Sequence, residues 1–109
     1  MASNIAGFRR PAVIASIDDT DSPYTVPWGV EVVYADPTLG AITINVPVGA
    51  TYGIGRRLYI KDVGGQAGVN NITLSRLDAD LIDGATTFLI TSNYGAVTLL
   101  ADNDNWRVL

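Results

Sequence analysis

The chain contains no cysteine and no histidine, a single glutamate (Glu31) and a single lysine (Lys61). Each shortage removes a class of chemistry. Without cysteine there is no disulfide staple, thiolate zinc site or sulfur nucleophile. Without histidine the commonest general base and the commonest transition-metal ligand are both missing, and a Ser-His-Asp triad cannot be built. With Glu31 as its only glutamate, the chain offers no calcium loop ending in a bidentate Glu. Positive charge is also scarce: 7 Lys+Arg stand against 11 Asp+Glu, for a net charge of -4. Only Arg9-Arg10 and Arg56-Arg57 are adjacent, and a nucleic-acid surface needs clustered cations, so no nucleic-acid partner is expected. The uncharged run over residues 37–55 is broken by Pro37, Pro47 and four glycines. It does not read as a membrane helix, and no membrane partner is expected. The N-terminus shows no basic region followed by an apolar core and a cleavage site, so no signal peptide is read there.

What is present is apolar and β-forming. Hydrophobic residues make up 48% of the 109 and charged residues only 17%. A chain of this length forms one domain and buries about 65% of its unfolded surface. So apolar a composition predicts greasy surface left over, which an oligomer would cover. Ile, Val and Thr are abundant, and period-two alternation recurs, as in Ile42, Ile44 and Val46 against Thr43 and Asn45. Strands are predicted over 12–17, 24–26, 30–35, 41–46, 57–62, 71–75, 80–82, 86–91, 96–101 and 106–108. Asp36-Pro37, Pro47 with Gly49, Gly64-Gly65, Asp83-Gly84, Asn93 with Gly95, and the 102–105 segment supply the turns. The expected fold is all-β: an antiparallel sandwich or barrel, jelly-roll-like, over residues 22–109. Residues 1–21, with Pro11 and the polar 18–23 stretch, read as an extended N-terminal arm and linker. No repeat of solenoid period or heptad is visible, which argues against a β-helix or a coiled-coil shaft.

Few constellations suggest chemistry. Asp78, Asp80 and Asp83 offer oxygen ligands, as does the 102–105 cluster before Trp106, but turn-making explains both. Scattered aspartates at turns do not make the paired carboxylates of a glycosidase. Neither Gly53-Ile54-Gly55 nor Gly64-Gly65 leads into a helix with G-K-[ST], so neither is a phosphate loop. The aromatics Trp28, Trp106, Tyr24, Tyr34, Tyr52, Tyr59 and Tyr94 suit core or interface packing better than sugar stacking. The Arg56-Arg57 pair fits an inter-subunit salt bridge or a solvated strand edge. No catalytic, metal or cofactor-binding residue is expected, and the chain does not read as an enzyme. The arm residues Ile5, Phe8, Arg9 and Arg10 are the expected partner-binding group, two apolar anchors beside two cations.

One block carries more information. Ile60-Lys61-Asp62, Gly64, Ala67, Asn71-Ile72-Thr73 and Ile82-Asp83-Gly84 resemble a recurrent segment of bacteriophage virion proteins, found in tail fibres, spikes and capsid decoration proteins. The resemblance covers roughly the last half of the chain, including the strand over 97–101, the acidic hairpin and Trp106. It implies a β-structured, trimer-forming domain in which these residues are structural. It further implies a compact decoration (cement) protein on the capsid exterior, assembled in the host cytoplasm and clamping neighbouring major capsid subunits. The absence of a shaft or repeat between Met1 and Leu109 favours that reading over a full fibre. The alternative is a short tail fibre, spike or baseplate domain for host attachment, and a free carbohydrate-binding module is a third reading.

Overall fold

A computed structural model describes residues 11–109. The chain is mostly β, in two sheets. The strands are β1 (Ile14–Asp18), β2 (Tyr24–Thr25), β3 (Val32–Asp36), β4 (Ile42–Val46), β5 (Arg57–Asp62), β6 (Ile72–Arg76), β7 (Leu81–Ile82), β8 (Thr87–Ile90), β9 (Ala96–Ala101) and β10 (Asn105–Val108). All ten predicted strands have a counterpart, with ends shifted by a residue or two.

The pairing differs from expectation. The larger sheet has the order β1-β3-β5-β9-β10-β7, and the smaller one β2-β4-β6-β8. Five of the eight ladders are parallel and three antiparallel. From β1 to β6 the chain alternates between the sheets, and each strand lies parallel to the one laid down two strands earlier. This is a short two-sided parallel coil, closed by β8 against β6 and by β9 against β5 in antiparallel fashion. It replaces the antiparallel jelly-roll pairing expected from the sequence. It also corrects the argument that a chain without repeats cannot coil. Register places Ile14 beside Val32 and Val32 beside Tyr59, spacings too unequal to leave a sequence period.

The alternation was read correctly because each sheet keeps one face inward whichever way its neighbours run. Ile42, Ile44 and Val46 are buried, as are Ile72 and Leu74 beside them in register. Across the core, Val33, Ile60, Leu58, Val97 and Leu99 form the facing layer. Trp106 and Tyr52 are its largest members, with ring centroids 5.3 Å apart. The Trp106 indole N–H donates to the Pro47 carbonyl at 2.8 Å, and the Tyr52 hydroxyl donates to the Val30 carbonyl at 2.8 Å, so neither polar handle is wasted in the core.

The N-terminal boundary also moves. β1 pairs along its length with β3, and Ile17 is buried, so the body begins no later than Ile14 rather than at Ser22. The polar stretch after β1 is a 3-10 turn (Asp19–Asp21) closed by a capping box: Asp18 accepts from the Thr20 N–H, and Asp21 accepts from the Asp18 N–H at 2.9 Å. One further element was not foreseen, the single-turn helix α1 (Gly49–Tyr52). Its first N–H, on Gly49, donates at 2.7 Å to the buried carboxylate of Asp80. A β-carbon at Gly49 would approach the Asp102 carbonyl to 2.5 Å, so glycine is required there.

Candidate interaction surfaces

Of the chemistry-bearing groups, Asp62 is the most unusual, and strand geometry explains its burial. β5 alternates outward and inward, and Asp62 falls on the inward side beside Ala35 and Ile17 in register. It is fully buried. Its Oδ1 accepts from the N–H groups of Gly64 (2.9 Å) and Gly65 (2.7 Å), and its Oδ2 from Ala67 (3.0 Å) and Tyr94 (2.9 Å). Burial works to raise its pKa. The four backbone donors outweigh that and hold the carboxyl below the ordinary aspartate range. Asp62 therefore organises the loop after β5 and ties it to the loop before β9.

The glycines beside it are fixed by the same geometry. A β-carbon on Gly64 would collide with the Asp36 carboxylate, and Gly65, at φ 77°, would drive one into the Tyr94 ring. Asp83 and Gly84 take φ 47° and 82° in the turn before β8, and Asp83 Oδ1 accepts from the Val108 N–H at 3.2 Å. Asp62, Gly64, Ala67, Ile72, Ile82, Asp83 and Gly84, seven of the eleven positions on which the expected resemblance rests, thus hold turns and core.

The other acidic groups also have structural partners. Asp80 caps α1 and Asp83 closes a turn. Asp102 accepts from the Asn103 N–H at 2.8 Å and pairs with Arg107 at 3.1 Å, which together keep its pKa low. Among the described residues, no three potential ligands come together as a metal site, and no helix is long and apolar enough to cross a membrane.

Arg56 is the second organising side chain, and its role was not legible in the sequence beyond the pairing with Arg57. One guanidinium nitrogen donates to the carbonyls of Trp28 (2.6 Å) and Tyr52 (2.7 Å), and the other lies 3.6 Å from the Glu31 carboxylate. The guanidinium carbon sits 4.1 Å from the Tyr52 ring centroid and 6.0 Å from that of Trp28. It divides two shallow hollows. One of about 480 Å³ is lined by Trp28, Thr51, Tyr52 and Arg56, and one of about 280 Å³ by Ala12, Glu31, Arg56, Arg57 and Tyr59. Trp28 itself is 68% exposed.

The outer face of the larger sheet carries an apolar and aromatic group on β1, β3 and β5, with Ser16 and Lys61 flanking Tyr34 in register. Ile14, Val32 and Tyr59 lie side by side in register, with Tyr34 in the next row, and Ile14, Tyr34 and Tyr59 are all exposed. The outer face of the smaller sheet carries a row of short polar residues instead, Thr25, Asn45, Ser75 and Thr87. The aromatics thus divide: Trp106 and Tyr52 pack the core, while Trp28, Tyr34, Tyr59 and Tyr94 are exposed. The expected partner-binding residues Ile5, Phe8, Arg9 and Arg10 lie outside the described residues.

No protein-family model matches the chain, and no curated protein matches it.

Proposed function

We propose that this chain is a structural protein of a bacteriophage particle, a decoration protein whose self-assembled copies clamp neighbouring major capsid subunits. The observation that carries the adhesive part of this reading is the outer face of the larger sheet. Ile14, Val32, Tyr34 and Tyr59 stand together on a sheet that nothing in the described chain covers. A patch of this kind is what subunit contacts consume. The virion part rests on the resemblance of the segment from Ile60 to Gly84. The role of Asp62 and its glycines is consistent with that resemblance, because such residues shape a scaffold and carry out no reaction. Three copies is the stoichiometry that the resemblance implies.

In this reading residues 1–10 form the arm that engages the capsid, through Ile5, Phe8, Arg9 and Arg10. The mechanism is linkage. A multimer that binds only the mature shell stabilises it by its binding free energy, and repeated weak contacts gain avidity from being joined. Immunogold labelling of intact particles tests the location. Label over the head supports decoration. Label over the tail replaces it with the second reading, a fibre, spike or baseplate domain that Trp28, exposed beside an open hollow, would serve as an attachment point. Unlabelled particles overturn both.

A further inference from the structure

The two sheets end in four strand edges: β1 and β7 in the larger, β2 and β8 in the smaller. An exposed edge carries unmade N–H and C=O groups and recruits other strands unless it is blunted by shortness, proline or charge. Three of the four are blunted. β7 has two residues between Asp80 and Asp83, β2 has two between Pro23 and Pro27, and β1 ends on Asp18, with Asp19 and Asp21 following. β8 has none of these devices. Residues 86–91, Thr-Thr-Phe-Leu-Ile-Thr, contain no charge, proline or glycine, and every residue favours strand.

The ladder shows which groups β8 leaves unmade. The Arg76 N–H donates to the Thr86 carbonyl, which makes that antiparallel pair a hydrogen-bonded one. Bonded and non-bonded pairs alternate. Phe88 and Ile90 therefore bond to Leu74 and Ile72, while Thr87 and Leu89 turn their N–H and C=O groups to the free edge. Both residues are exposed, whereas Phe88 points inward and is half-buried at the rim of the core.

We propose that this edge pairs with the same edge of a second copy, β8 against β8 antiparallel about a two-fold axis through Phe88. In this register Thr87 of each copy faces Leu89 of the other. All four outward N–H groups and their carbonyl partners are used, giving four backbone hydrogen bonds. The two Phe88 side chains meet at the non-bonded position on the core side, covering the part of each ring that one copy leaves open. Because the segment carries no charge, like meets like without repulsion, which is what a self-complementary contact requires. The contact does not depend on the virion reading. Combined with a three-fold assembly whose axis crosses the two-folds, it would join trimers in pairs.

The chain has no cysteine, so Phe88→Cys gives a clean cross-linking test. Non-bonded antiparallel partners place their Cα atoms about 4.5 Å apart, within disulfide range. Mild oxidation should convert most of the protein to a covalent two-chain species on a non-reducing gel. Leu77→Cys, at an exposed site elsewhere, should give little. Cross-linking no greater than the Leu77→Cys control overturns the proposal. Surface variants leave Phe88 in place and give an independent check by sedimentation. The double change Thr87→Lys with Leu89→Lys puts like charges opposite one another and should halve the mass. Thr87→Lys with Leu89→Glu puts opposite charges there and should restore it. An unchanged mass in the first variant, or a wild-type particle of only three chains, overturns the edge pairing, although the latter would support the trimer of the virion reading.

Discussion

Replacing Asp62 with Asn tests whether this loop system hangs on one buried carboxylate. Each carboxylate oxygen accepts two backbone N–H groups. Asparagine keeps one oxygen and turns the other into an NH₂ donor. The amide can still serve Gly64 and Gly65, or else Ala67 and Tyr94, but the remaining pair then faces a donor. Two hydrogen bonds to a charged acceptor are lost, and two N–H groups, either those of Gly64 and Gly65 or those of Ala67 and Tyr94, are left without a partner. Each orphaned group costs about 1–3 kcal/mol, so the variant should lose about 3 kcal/mol. In a domain of this size that is a Tm drop of about 10–20 °C. The pH dependence supplies a second signature. The folded pKa of Asp62 is lowered, so its contribution is complete above the unfolded value of about 3.9 and fades as pH falls through the folded one. The gap between wild type and variant should therefore be widest near neutral pH and narrow toward pH 3. Calorimetry at fixed protein concentration, at pH 7 and pH 3, reads both effects. A Tm within about 2 °C of wild type at pH 7, or a gap that widens in acid, would refute the reasoning.

Other outcomes follow from the same geometry. Gly65→Ala, at positive φ with its new carbon directed into the Tyr94 ring, should destabilise by at least about 1 kcal/mol, whereas Gly55→Ala meets no atom and should cost only its backbone strain; paired urea titrations compare them. Trp106→Phe removes a buried indole bond to Pro47 and part of the core volume and should cost about 2–3 kcal/mol by denaturant unfolding. The two tryptophans should separate optically: Trp28→Phe leaves a blue-shifted emission that acrylamide quenches poorly, and Trp106→Phe leaves an accessible one. If the proposed arm engages the capsid, removing residues 1–10 should abolish that binding, while removing residues 1–18 should also strip β1 from the sheet and unfold the edge.

The elements of this fold were largely legible, and its connectivity was not. Period-two alternation marks any strand with one face inward, so Ile42–Val46 and Arg57–Asp62 could be read to within a residue. Alternation does not record whether the neighbouring strand runs parallel. The signal that would have done so, a constant spacing between stacked residues, is erased by turns as unlike as the short one holding the Asp18 capping box and the long one holding α1. The Asp83-Gly84 turn was visible because only a few residue types accept positive φ. The burial of Asp62 was hidden because an aspartate at a strand end resembles an exposed turn residue until its partners, one of them as distant as Tyr94, are placed around it. Likewise Arg56 reads from the sequence as an inter-subunit salt-bridge partner or a solvated edge charge, and only the fold brings Trp28, Tyr52 and Glu31 to it.

The central claim is that this body works by sticking to copies of itself and to a larger assembly. Sedimentation equilibrium of the full chain over a hundredfold range of concentration measures that most directly. A multimer is expected that persists to micromolar dilution and that, when Tyr59 and Tyr34 are both changed to Lys, loses the contacts of that face and drops to no more than the two-chain species held by β8 pairing. A single-chain mass at every concentration would contradict it.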